Sequence, residues 1–199
     1  MTDPPSLAQR KRQLVRDELA AAAMRLLAQQ GFGATTIEQI VAAAGVSRRT
    51  FFRYFESKED VIVQALADTG DELCAELGAR PAAEPAAAAL HHTFAAFVHK
   101  ITEHPEKTLR ITQLVLGSPA LLARYLERQA QWQADLAAVL SRRTGQDPAG
   151  LRPALAAGVA LTAFYTALTR WAASDGTCEL AELVDEAFDV VAPALHVTA

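Results

Sequence analysis

Between residues 9 and 191, apolar side chains recur at steps of three and four and never alternate over the length of a strand, which confines the chain to an all-α architecture. The first stretch, roughly Gln9 to Gln29, places Val15, Leu19, Ala22 and Leu26 on one face and ends before Gly31. Thr36-Ile37-Glu38-Gln39 reads as a capping box that opens a second helix, and Gly45 closes it after three alanines. Ser47 caps a third helix running to about Phe55, and Ser57 with Asp60 opens a long fourth one expected to reach Leu77. Pro81 and Pro85 interrupt the chain. Five more helices are predicted to start near Pro85, Pro105, Pro119, Pro148 and Cys178, four of them with proline early, where a missing N–H is harmless.

With 51% hydrophobic and 21% charged residues in 199, the chain has enough apolar side chains for a core and too few charges for a disordered segment. The longest near-apolar run, Ala154 to Leu168, is interrupted by Thr162, Tyr165 and Thr166, so no membrane span and a cytoplasmic protein are expected. Cys74 and Cys178 stand far apart with no metal spacing around them. His91, His92, His99 and His104 offer no pair at the helical spacing that ligands use; no metal and no cofactor are expected. No nucleophile elbow, phosphate loop or dinucleotide glycine pattern appears, so no catalytic residue is assigned and no enzyme is expected.

The net charge of −4 conceals an asymmetry. Residues 1–58 carry nine basic side chains against five acidic ones, a net of +4, which leaves −8 for the remainder. A basic head on an acidic body suits a protein that meets a polyanion with one end.

Two short helices joined by Ala44-Gly45-Val46-Ser47 form the helix-turn-helix pattern. Ile37, Ile40, Val46, Phe51 and Phe55 fall on the packing side, and Gly45 supplies the left-handed turn. Facing outward are Arg48, Arg49, Thr50, Phe52, Arg53 and Tyr54. Arg48, Arg49 and Arg53 can each grip guanine in a bidentate fork, while Thr50 and Phe52 can touch a thymine methyl. Thr36, Tyr54 and Lys58 are placed for phosphate contacts at the edges.

The stretch Gly31 to Leu66, GFGATTIEQIVAAAGVSRRTFFRYFESKEDVIVQAL, resembles the N-terminal domain of the TetR family of repressors. That resemblance implies an N-terminal arm and helix-turn-helix domain over residues 1–57. A ligand-binding and dimerisation domain would follow over residues 58–199, with the homodimer formed through the last two helices. It implies a repressor released from a palindromic operator in double-stranded DNA by a small inducer. Where the family often has tyrosine, this chain has Phe52, which removes a phosphate hydrogen bond and leaves packing.

The run TEHPEKTLRITQLVLGSPALLARYLERQAQWQADLAAVL and the segments after it are similar to family bodies classed as acyl-CoA-like ligand-binding. An amphipathic, acyl-CoA-like inducer follows from that likeness. A pocket of that kind is mostly apolar with a few polar anchors. Phe94, Phe97, Leu114, Trp132, Phe164 and Trp171 are the candidate walls, with Arg110 and Arg128 as candidate anchors for an anionic group. Two alternatives stand beside the repressor: an activator with the same DNA head, and a helical dimeric interaction protein without salt-steep DNA binding.

Overall fold

The computed structural model describes residues 6–65, 67–147 and 150–195, and it divides into two units between residues 66 and 67. The described residues are helical and carry no strand.

The first unit holds α1 (Leu7–Ala34), α2 (Ile37–Ala43), α3 (Arg48–Phe52) and α4 (Lys58–Ala65). Gly31 interrupts α1 with φ +77 and ψ 173, so the helix proper stops there, as the glycine predicts. The buried stripe of α1 is Leu19, Ala22, Ala23 and Leu27; Val15 and Leu26 are only half-buried, so the face is rotated by one residue from the expected set. Val61 of α4 is fully buried, and α4 packs against α1. For this reason the division falls after residue 66 rather than at the expected 57: the first turns of the predicted long fourth helix belong to the head's own core.

The second unit contains α5 (Ala67–Ala79), α6 (Ala86–Ile101), α7 (Pro105–Gly117), α8 (Pro119–Thr144), α9 (Leu151–Ala173), α10 (Leu180–Val191) and a closing 3-10 turn. Helices start where the prolines placed them: Pro85 caps α6, while Pro105 and Pro119 occupy the first positions of α7 and α8. Pro148 lies outside the described residues. The core is built on α9, which packs against α8, α10, α7 and α6. At 23 residues, with an 18-residue stretch of mean hydropathy 1.3, α9 is long and apolar enough to cross a membrane by length and composition; its Ala156, Ala160, Leu161, Phe164 and Trp171 are instead buried against these neighbours.

Polar side chains tie the helix ends of this unit. Arg143, near the end of α8, donates to the carbonyls of Leu77 at 3.1 Å, Arg80 at 2.7 Å and Pro81 at 2.9 Å. Leu77 stands in the last turn of α5, where carbonyls lack an intrahelical partner, and Arg80 and Pro81 follow the helix directly. Beside them, Arg80 grips Glu84 through two 2.8 Å bonds, and His92 Nδ1 lies 2.6 Å from the same carboxylate.

Candidate nucleic-acid interface

The helix-turn-helix is fixed by local chemistry that the sequence announces. Thr36 Oγ1 accepts from the Gln39 N–H at 3.2 Å, while Gln39 Oε1 accepts from the Thr36 N–H at 2.9 Å, completing the capping box of α2. Gly45 takes φ +64 in the turn, the conformation that a side chain resists. Ser47 Oγ then accepts from the Thr50 N–H at 3.1 Å and starts α3. Regular helix ends at Phe52, and one further turn carries the chain on, with Phe55 N–H donating to the Phe51 carbonyl at 3.0 Å.

Phe51 and Phe55 anchor this segment: they are 0% and 3% exposed, with ring centroids 5.5 Å apart. Ile40 is buried beside them in the sequence pattern, whereas Ile37 and Val46 are half-buried. Anchoring that face leaves Arg48, Arg49, Phe52 and Arg53 exposed on the other, with Phe52 47% exposed. A large aromatic ring held in solvent beside three arginines is unusual for a structural surface and useful at a base edge.

The arginines are partly arrayed before any nucleic acid arrives. Arg48 Nη1 lies 2.7 Å from Glu38 Oε1, and its guanidinium sits 5.5 Å from the Phe52 ring. Arg53 stacks on Tyr54 at 4.8 Å and donates to its phenolic oxygen at 3.0 Å. The half-buried Thr50 has its hydroxyl 2.9 Å from Ser47 Oγ.

Lys58 is placed differently from the other expected phosphate contacts. Its ammonium donates to the Phe32 carbonyl at 2.7 Å and the Thr35 carbonyl at 3.0 Å and stands 4.0 Å from the Phe32 ring. Two of its three N–H bonds therefore close the end of α1, a structural role that sequence spacing did not reveal.

The expected pocket residues are spread over α6, α7, α8 and α9. Phe94, fully buried, meets Phe164 at 5.2 Å and Phe188 at 5.5 Å, and Phe97 meets Phe164 edge-on at 5.8 Å. Phe97 also lines an open groove of about 410 Å³ between α5 and α6, with Leu73, Ala96 and the Lys100–Glu72 ion pair at 2.6 Å. Trp171 is buried in α9, and Leu114 is half-buried in α7. Arg110 is exposed, and its guanidinium pairs with Glu106 of its own helix at 3.5 Å. Trp132 and Arg128 both stand on α8, with Trp132 buried and Arg128 half-buried.

Residues 19–65 match the family described as bacterial regulatory proteins, tetR family, and residues 84–196, more than half of the chain, match the MftR C-terminal domain of the same group. The chain belongs to the TetR family. TetR-family members are DNA-binding transcription regulators, and the relatives bear that out by name. The regulator TcmR of Streptomyces glaucescens is 35% identical over 149 residues, covering 72% of this chain and 66% of that one, slightly under two thirds of its length. MftR of Mycobacterium tuberculosis is 28% identical over 94% of this chain and 93% of its own. Among solved structures, Thermus thermophilus FadR in complex with lauroyl-CoA superposes with a TM-score of 0.67 at 23% identity, over 92% of this chain and 96% of the other. That likeness establishes the shared TetR fold.

Proposed function

We propose that this chain is a homodimeric, cytoplasmic repressor that reads a palindromic operator with α3 and releases it when a small amphipathic ligand occupies the body. The observation that carries the reading is the fixed orientation of α3: buried Phe51 and Phe55 oblige Arg48, Arg49, Phe52 and Arg53 to face outward together. Thr50 adds a hydroxyl and methyl at the same surface, and Thr36 and Tyr54 supply phosphate donors at its margins. Lys58 has one N–H left for a phosphate after holding α1.

Pairing through α9 and α10 is supported by the outward side of α9. Leu151, Leu155, Thr162 and Thr166 are exposed there, and between Pro153 and Thr169 the helix has no charged residue. A two-fold pair would present two α3 helices to successive major grooves. An acyl-type ligand is supported by the fold's neighbours, since FadR of Thermus thermophilus is described with lauroyl-CoA and that of Bacillus subtilis with stearoyl-CoA. Ligand then opposes DNA by favouring a body conformation that fits the operator less well.

Selection from a random duplex pool tests this directly. A palindromic consensus should emerge, and Arg49→Ala or Arg53→Ala should weaken binding to it by about 1 to 3 kcal/mol with relaxed discrimination at one base. Failure to enrich any sequence, or a footprint of a single asymmetric half-site, overturns the reading.

A further inference from the structure

Unmet hydrogen-bonding capacity in the body collects on one stripe of α8. Tyr125, Arg128 and Trp132 follow at steps of three and four and so share a face of the helix. Tyr125 and Trp132 are 7% and 3% exposed, and their rings meet edge to face at 5.8 Å. Neither the Tyr125 hydroxyl nor the Trp132 indole N–H has a hydrogen-bond partner among the described residues. Arg128, half-buried between them in the sequence, has no carboxylate within ion-pair distance among the described residues. Native proteins rarely leave buried donors unsatisfied, because the lost hydration is not recovered.

The chemistry of the three groups points in one direction. Indole and guanidinium can only donate. Burial first, and the neighbouring Tyr165 second, push the Tyr125 phenol above its ordinary range, so it keeps its proton and donates as well. Tyr165 stacks beside Tyr125 at 6.0 Å and adds an aromatic wall. Donors without an acceptor are the complement of a group that only accepts.

We propose that Tyr125 Oη and Trp132 Nε1, with Arg128 beside them, bind the carbonyl-type oxygen of an acyl ligand, either a free carboxylate or a thioester carbonyl. This rests on the reading that the body holds a small amphipathic ligand, and it specifies where and how the polar end is held. The pair acts as a neutral hydrogen-bonding clamp, and Arg128 adds charge when the head group is an anion.

The test uses the full-length protein with laurate and lauroyl-CoA as separate probes, titrated by calorimetry and by tryptophan emission in a Trp171→Phe background, where Trp132 is the only tryptophan left of two. At least one probe should bind, and Tyr125→Phe and Trp132→Phe should each raise its Kd roughly tenfold, the loss of a hydrogen bond to a charged or strongly polar acceptor. Tyr125→Phe should at the same time leave the ligand-free protein as stable as before or more so, because it removes a buried hydroxyl with nothing to bond; a purely structural tyrosine would show the reverse. Arg128→Gln identifies the source: a larger loss for laurate marks a carboxylate, an equal or smaller one marks the thioester carbonyl. Unchanged affinity in both ring variants overturns the proposal, and so does the failure of both probes to bind, while the DNA head is judged separately by its operator selection.

Discussion

Gly70 of α5 gives the indole of Trp132 the space that it occupies: a methyl group at position 70 would stand 2.2 Å from Cδ1 and 2.5 Å from Nε1 of that ring. Trp132 is 3% exposed and has little room to retreat. Gly70→Ala should therefore destabilise the body by about 1 to 3 kcal/mol despite alanine's better helix propensity, because overpacking against a buried ring outweighs it. Denaturant unfolding followed by Trp132 emission in the Trp171→Phe background would show both the loss and an altered starting spectrum. A stabilised protein with unchanged emission would contradict the packing.

Lys58 bonds two carbonyls at the end of α1. Lys58→Met retains the aliphatic stem and removes the donors, so the head should lose about 1 to 3 kcal/mol of stability. Amide exchange at Gly31 to Thr36 should accelerate before any change is felt in the salt dependence of DNA binding. Normal protection there with a flattened salt slope would instead assign Lys58 chiefly to phosphate.

Glu38 holds Arg48 at 2.7 Å and would also lie beside DNA phosphates if α3 enters a groove. Glu38→Gln releases the arginine and removes a repulsive charge. DNA affinity should rise by about three- to tenfold at low salt, with a steeper salt dependence. Fluorescence anisotropy across a salt series measures both quantities, and weaker binding would show that Glu38 positions Arg48 productively.

The bidentate bond from Arg80, helped by His92, lowers the Glu84 carboxyl from its ordinary 4.5 to about 2. A depressed carboxyl contributes stability above its unfolded pKa and loses it as pH falls toward the folded one. Thermal midpoints of the wild type and Glu84→Gln should therefore differ most above pH 4.5 and converge as pH approaches 2. A gap that stays constant across this window would rule out the ion pair as its cause.

The head was legible because its determinants are local. Gly45, Ser47 and the Thr36 box act within four residues of where they stand, and Phe51 and Phe55 must share a face once α3 is helical. The structural role of Lys58 was not legible because its carbonyl partners lie 23 and 26 residues away. The α1 stripe is displaced by one residue, onto Ala23 and Leu27, within the same helical period. In the body, helix starts followed from proline, but apolar composition could not separate core rings such as Phe94 from an interface ring. Arg110 differs from Arg128 already in the sequence, by the Glu106 one turn before it, and the structure forms that pair. Trp132 was singled out for its size, while the feature that distinguishes it, an unbonded N–H facing a glycine, exists only once α5 and α8 meet.

The Arg143 clamp carries a mechanical consequence for α5. A helix whose last turn and following residues are gripped by a guanidinium on a 26-residue neighbour cannot slide along its axis without dragging that neighbour or breaking three bonds. Sliding of α5 along α8 is thus opposed at both ends, by the guanidinium at one and by the seat of the Trp132 indole against Gly70 at the other.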